Sequence, residues 1–157
     1  MIRVLFVCLG NICRSPMAEA IFQDRVDKAG LHDQFTIDSA GTGGWHVGEK
    51  AHNGTLTILQ KHGIAYNGRA RLFKSADLKN FDYVLAMDGS NLLSILAGYQ
   101  DGTAEVKRFL HYAHQAGTVS ETDVPDPYYD GRFDEVYDLV SKGAAALLAH
   151  IRRAHQL

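Results

Sequence analysis

Cysteine, arginine and serine stand at positions 8, 14 and 15 in the segment Val7-Cys8-Leu9-Gly10-Asn11-Ile12-Cys13-Arg14-Ser15-Pro16. The segment follows a run of apolar β formers and leads into residues with helical spacing, so it reads as a strand-to-helix turn. A helix start offers unpaired N–H groups and a partial positive charge, which together make an anion site. Gly10 and Asn11 tolerate positive φ, which lets successive N–H groups curl inward around one point. Arg14 adds a planar fork suited to two phosphoryl oxygens. Cys8, at the end of the strand, would aim its sulfur at the centre of that cradle, and a positive field favours the thiolate, the reactive form. Ser15 can donate a hydroxyl hydrogen bond to the sulfur. The chemistry predicted is nucleophilic attack inside an oxyanion receptor. Taken alone, a cysteine in an apolar strand is more often a small buried hydrophobe. The spacing Cys-x5-Arg-Ser at such a turn decides for the functional reading.

Elements of the right kind surround this turn. Val4 to Leu9 is a continuous apolar run, too short for a helix, as expected of a strand buried on both faces of a parallel sheet. Met17, Ala20, Ile21 and Val26 follow at near-helical spacing, with Pro16 at the first helical position and Gly30 past the end. A second strand is expected near Phe35 to Ser39, and a helix from His52 to Lys61 ending at Gly63. Asp82 to Met87 reads as a third buried strand. Asp88 is placed to cap a helix that holds Leu92, Leu93 and Leu96 and stops at Gly98. Val106 to Leu110 is the candidate fourth strand. Phe133, Val136, Val140, Ala144, Leu147 and Ile151 step by three or four through a last helix, whose end carries Arg152, Arg153 and His155. Strands alternating with helices predict an α/β fold of flavodoxin or Rossmann type. It is a three-layer sandwich with a four-stranded parallel sheet and helices on both faces. Ligands of such folds bind beyond the carboxyl ends of the strands, where Cys8 to Ser15 falls.

Composition bounds the rest. The 157 residues are 46% hydrophobic and 22% charged, which excludes disorder, collagen and coiled coil and fits one domain spanning 1–157. Two cysteines exclude a disulfide scaffold. No apolar run approaches the ~20 residues of a membrane span, and Met1 leads into Ile2, Arg3 and Val4 without a basic n-region. The expectation is a soluble, cytoplasmic protein. A net charge of −2 gives no bulk attraction to nucleic acid or an anionic membrane. Neither is expected as a partner. Among the eight histidines, His111 and His114 share a face only if that stretch is helical, and no His-Glu-x-x-His motif occurs, so no metal site is expected. Arg69, Arg71, Lys74 and Lys79 read as a solvated basic face.

Cys8-Leu9-Gly10-Asn11-Ile12-Cys13-Arg14-Ser15-Pro16 resembles the signature loop of the low-molecular-weight protein tyrosine phosphatases. The likeness extends to Asp126-Pro127-Tyr128-Tyr129 late in the chain, to Met87-Asp88 with Ser90-Asn91, and to the overall length. It implies that Cys8 attacks phosphorus to form a cysteinyl-phosphate, which water hydrolyses to inorganic phosphate, with no cofactor. Leu9, Gly10, Asn11, Ile12, Cys13, Arg14 and Ser15 would bind the phosphate, their N–H groups and the guanidinium holding its equatorial oxygens. Asp126 resembles the proton donor to the leaving group; Pro125 and Pro127 restrict its backbone. Asn11 resembles the residue that braces the loop, and Ser15 the donor to the thiolate. Cys13 would lie near enough to Cys8 for a protective reversible disulfide, or serve only as a packing thiol. Trp45, Tyr128 and Tyr129 would form aromatic walls for the ring of phosphotyrosine in proteins and peptides. One position departs from the pattern. Many members carry a bracing histidine where this chain has Gly68, so Asn11 must be braced from that side by water or another side chain. Two rivals share parts of the signature. A thioredoxin-coupled arsenate reductase relays oxidation through cysteines outside the loop, whereas both cysteines here lie inside it. A non-catalytic phosphopeptide-binding module would need neither nucleophile nor acid.

Overall fold

The computed structural model describes residues 1–98 and 102–157. The apolar run at its start forms β1 (Ile2–Cys8), in which Val4, Leu5, Phe6 and Val7 are wholly inaccessible to solvent. The chain continues through α1 (Arg14–Lys28), a single 3₁₀ turn (His32–Gln34), β2 (Phe35–Gly41), α2 (Asn53–Lys61) and α3 (Asp77–Asn80). It then forms β3 (Tyr83–Ala86), α4 (Gly89–Ala97), β4 (Glu105–Arg108), α5 (His111–Gln115), α6 (Pro127–Asp130) and α7 (Phe133–His155). All strand pairs are parallel, in the order β2-β1-β3-β4, with Cys8 opposite Gly41 and Val7 opposite Ala86.

Alternation along β1 divides the interior. Ile2, Val4, Phe6 and Cys8 face the larger cluster, built with α1, α2, α5 and α7. Leu5 and Val7 face the smaller one, with Leu78 of α3 and Ile95 of α4. In the larger cluster Phe6 meets Phe22 and Phe109 edge to face at 5.6 and 5.5 Å, and Phe22 meets Phe35 at 5.7 Å. This is the expected three-layer α/β sandwich. No described helix is long and apolar enough to cross a membrane.

Several boundaries moved for physical reasons. Helix α1 begins at Arg14, so Pro16 is its third residue rather than its first. Proline is tolerated there because the first-turn N–H groups have no intrahelical partner to lose. His52 precedes α2 as its cap, with Nδ1 accepting from the Gly54 N–H at 2.9 Å. Strand β4 ends at Arg108 rather than Leu110, because among the described residues its only ladder is with the four residues of β3. Phe109 and Leu110 leave the sheet edge and are fully buried. Helices α3, α5 and α6 are too short, at four or five residues, to print a 3.6-residue period. His111 and His114 do share a helix, yet among the described residues no His, Cys, Asp and Glu cluster could hold a metal ion.

Candidate active site

The sheet grows from β1 outward to β2 on one side and to β3 on the other, so the loops after β1 and β3 diverge at the carboxyl edge. This is the crevice in which parallel folds bind ligands. Cys8 ends β1 at its rim, and Asp88 caps α4 two residues after the end of β3.

Loop 9–13 is shaped by where its carbonyls go. The carbonyl oxygens of Cys8 and Leu9 accept from the N–H groups of Thr42 (2.9 Å) and Gly43 (2.8 Å). That of Ile12 accepts from the His52 N–H (2.7 Å), and that of Cys13 from the Thr55 hydroxyl (3.1 Å). In a trans peptide the N–H points opposite to its carbonyl. With these carbonyls turned outward, the N–H groups of Leu9, Gly10, Cys13 and Arg14 turn the other way, toward the cavity. Gly41 permits this approach, because a Cβ there would lie 2.9 Å from the Leu9 carbonyl oxygen. Among the described residues no side chain caps the first turn of α1, which carries no acidic group. The arrangement is a concave, positively polarised receptor for an oxyanion.

The sulfur of Cys8 lies 3.1 Å from Ser15 Oγ and accepts from the Asn11 N–H at 3.2 Å. Asn11 holds φ at 56°, the left-handed region that asparagine tolerates better than most residues. Its side chain is buried, and its amide orientation is fixed by its partners. Oδ1 accepts from the Arg71 N–H (3.0 Å), which can only donate. Nδ2 must therefore face the two serines, and it donates to Ser15 Oγ (2.8 Å) and Ser39 Oγ (2.9 Å). With its oxygen accepting from Asn11, Ser15 has its own hydrogen free for the Cys8 sulfur. Asn11 and Ser15 are thus turned into the protein, and their side chains do not line the cavity.

Arg14 is 3% exposed. Its Nη1 donates to Asp88 Oδ2 (2.6 Å) and to the Val124 carbonyl (3.0 Å), and its Nη2 lies 3.5 Å from Asp126 Oδ2. Burial alone would make the guanidinium easier to deprotonate; Cys8, Asp88 and Asp126 outweigh it and push the pKa up, so Arg14 is a fixed cation. Asp88 performs two tasks at once, since Oδ1 caps α4 through the Asn91 N–H (2.8 Å). Only the cap was readable in sequence. Asp126 is the N-cap of α6, with Oδ1 accepting from the Tyr128 N–H (3.1 Å), so its carboxylate is aimed by the helix that Pro127 begins. The Cys13 thiol is pushed up to about 12 by burial first, then by Cys8 and Asp126. Both cysteines are free thiols.

Cys8, Cys13, Arg14 and Asp126 line one cavity of about 270 Å³. Gly10, Ile12, Leu9, Trp45, Tyr128 and Tyr129 line it with them. Trp45 is 72% and Tyr129 79% exposed, so both stand at the mouth rather than in the core. His46 is a further wall that sequence reasoning missed; its Nδ1 is 3.0 Å from Glu49 Oε2 and its ring lies over Gly10. Its position next to Trp45 was the available signal. Arg71 departs from expectation. It is not part of a solvated face, for it pairs with Asp38 (3.0 Å) and Asp77 (3.1 Å) while its N–H holds Asn11.

The family described as low molecular weight phosphotyrosine protein phosphatase matches residues 3–157. The chain belongs to that family. It is 50% identical, over the whole of both chains, to the low molecular weight protein-tyrosine-phosphatase YfkJ of Bacillus subtilis. The crystal structure of YfkJ superposes with a TM-score of 0.91 over 98% of this chain and 96% of that one. A low molecular weight phosphotyrosine protein phosphatase of Schizosaccharomyces pombe is 54% identical over 83% of each chain. A protein tyrosine phosphatase of Entamoeba histolytica, 32% identical, superposes with a TM-score of 0.92 over 99% of both chains. The family likeness therefore covers the loop at one end of the chain and Asp126 near the other.

Proposed function

We propose that the chain is a protein tyrosine phosphatase acting on phosphotyrosine in proteins and peptides, in the cytoplasm. The observation that carries this reading is the convergence on one cavity of a cysteine sulfur, inward N–H groups, a buried arginine fork and a carboxylate. The cysteine enters as the thiolate. Its sulfur attacks phosphorus along the axis of the cavity, the bond to the aryl oxygen breaks, and the Asp126 carboxyl protonates the departing phenolate. Arg14 and the loop N–H groups hold the three equatorial oxygens as charge spreads over them. Water then attacks the cysteinyl-phosphate and gives its proton to Asp126; the S–P bond breaks and inorganic phosphate leaves. Ser15 donates to the sulfur as it regains its charge. These steps call on no metal or organic cofactor. Trp45, Tyr128 and Tyr129 make a mouth that favours a flat ring on a long stem over the short arm of phosphoserine.

The test is pre-steady-state hydrolysis of p-nitrophenyl phosphate beside a panel of phosphotyrosyl and phosphoseryl peptides. A burst equal to the enzyme concentration is expected from the wild type and none from Cys8→Ser. Asp126→Ala should lose about 10²-fold or more in kcat, and less with acidic leaving groups. Wild-type protein that binds phosphate but releases no p-nitrophenol overturns the enzyme reading. Equal rates on phosphoserine overturn the substrate assignment.

A further inference from the structure

Gly68 removes a side chain beside the brace of Asn11, and the structure shows what fills the room. A Cβ on Gly68 would lie 2.3 Å from the hydroxyl oxygen of Tyr66 and 2.6 Å from its Cζ. The phenol occupies the volume in which a side chain at position 68 would begin. From there the Tyr66 hydroxyl donates to Glu19 Oε1 at 2.9 Å, and the Ser39 hydroxyl donates to the same oxygen at 2.6 Å. Glu19 lies one turn beyond Ser15 on α1, so the two share a helix face. The hydrogen bonds form one continuous chain with one direction. Tyr66 and Ser39 donate to Glu19, Asn11 donates to Ser39 and to Ser15, and Ser15 is left to donate to Cys8.

That direction depends on Glu19 remaining an acceptor. If its carboxyl took a proton and donated to Ser39 Oγ, the serine hydrogen would have to turn away from Glu19 and the one-way order of the chain would be lost. Burial makes the Glu19 carboxyl harder to ionise, and the donors Ser39 and Tyr66 work against that shift. Tyr66 itself is held strongly in its protonated form, first by burial and then by the Glu19 charge, so it remains a donor throughout the working pH range.

We propose that Tyr66 is a positioning residue for the Ser15 hydroxyl, acting through Glu19, Ser39 and Asn11 to leave that hydroxyl aimed at the nucleophile. Gly68 is the condition for this role, because only an absent side chain leaves room for the phenol. The inference rests on Cys8 being the nucleophile of the proposed reaction. Tyr66 makes no contact with substrate. Its removal disturbs the donor to the departing sulfur while leaving Arg14 and the inward N–H groups in place, so turnover should suffer and phosphate binding should not.

The experiment is Tyr66→Phe, which keeps the ring and removes one oxygen. Its kcat on p-nitrophenyl phosphate should fall about tenfold, the effect of one ordinary hydrogen bond. The inhibition constant of inorganic phosphate should stay within about twofold of wild type, since the loop and Arg14 are untouched. A second pair of variants reads the same space. Tyr66→Ala should be at least as slow as Tyr66→Phe. Adding Gly68→His to Tyr66→Ala should recover most of kcat, because an imidazole N–H in the vacated room can donate to Glu19. Tyr66→Phe with unchanged kcat overturns the proposal. So does a parallel loss of kcat, phosphate affinity and thermal stability, which marks a merely structural residue. A wild type that shows no burst, or a Cys8→Ser protein as active as wild type, would instead overturn the reading on which it rests.

Discussion

Asn11 carries two separable burdens, and two substitutions tell them apart. Its side chain makes three hydrogen bonds, to Ser15, Ser39 and the Arg71 N–H, and its backbone sits at φ 56°. Asn11→Gly keeps the left-handed backbone at no steric cost but loses all three bonds. At about 1 kcal/mol each, the loop's preference for its working shape weakens by about 3 kcal/mol. Asn11→Ala loses the same bonds and adds the left-handed penalty of a Cβ, about 1–2 kcal/mol. If that preference enters the rate in full, kcat/KM falls roughly 10²-fold for glycine and roughly 10³-fold for alanine. Steady-state hydrolysis of p-nitrophenyl phosphate gives both numbers, and urea unfolding shows how much of the loss is global. Equal losses in the two variants would refute a role for the strained backbone. Losses under twofold in both would refute the bracing role of the side chain.

Three further outcomes follow from buried groups. In α7, Gly143→Ala should gain about 0.5–1 kcal/mol of helix propensity. The new Cβ would lie 2.5 Å from Phe109 Cε2 and 2.9 Å from Leu110 Cδ2, and overpacking of about 1–3 kcal/mol wins; a melting temperature at or above wild type would contradict this. Glu19 has a raised pKa in the folded state, chiefly from burial, so the native protein holds that proton more tightly than the unfolded chain and stability falls as pH rises above the ordinary value of 4.5. Glu19→Gln should therefore gain on wild type in urea midpoint as the pH rises above 4.5, and a difference independent of pH would contradict the assignment. Cys13, with its thiol near 12, should resist iodoacetamide at neutral pH, so mass spectrometry of Cys8→Ser should find no adduct; rapid labelling there would show that the burial is not maintained.

How much of this was legible in sequence depends on the range over which each signal acts. Cys8, Arg14 and the turn between them lie within a few residues, where spacing and residue type speak directly. The buried strand was readable because Val4 to Val7 is apolar without alternation, as burial on both faces requires. Edges were less legible. Strand β4 alternates poorly and ends where its partner β3 ends, which is a property of another segment. Roles that join distant residues left almost no trace. Asp88 looked like a helix cap and is one, but its second oxygen serves an arginine 74 positions away. Arg71 lies in a basic stretch whose composition suggested solvent, and only folding brings Asp38 and Asp77 to it. The meaning of Gly68 was hidden for the same reason, since it depends on the ring of Tyr66 folding back over it.

The order in which the site's parts occur along the chain has a consequence for its birth on the ribosome. The guanidinium of Arg14 is held by a carbonyl 110 positions later, at Val124, and Asp126 follows it. At roughly 5–20 residues per second, the cysteine would emerge several seconds before the groups that complete its surroundings. For the first part of that interval β1 lacks β3, its neighbour on one side, and until Val124 emerges the arginine is not fixed. A partly made chain is then expected to carry a thiol without a phosphatase, and activity becomes a signal that synthesis has passed Asp126.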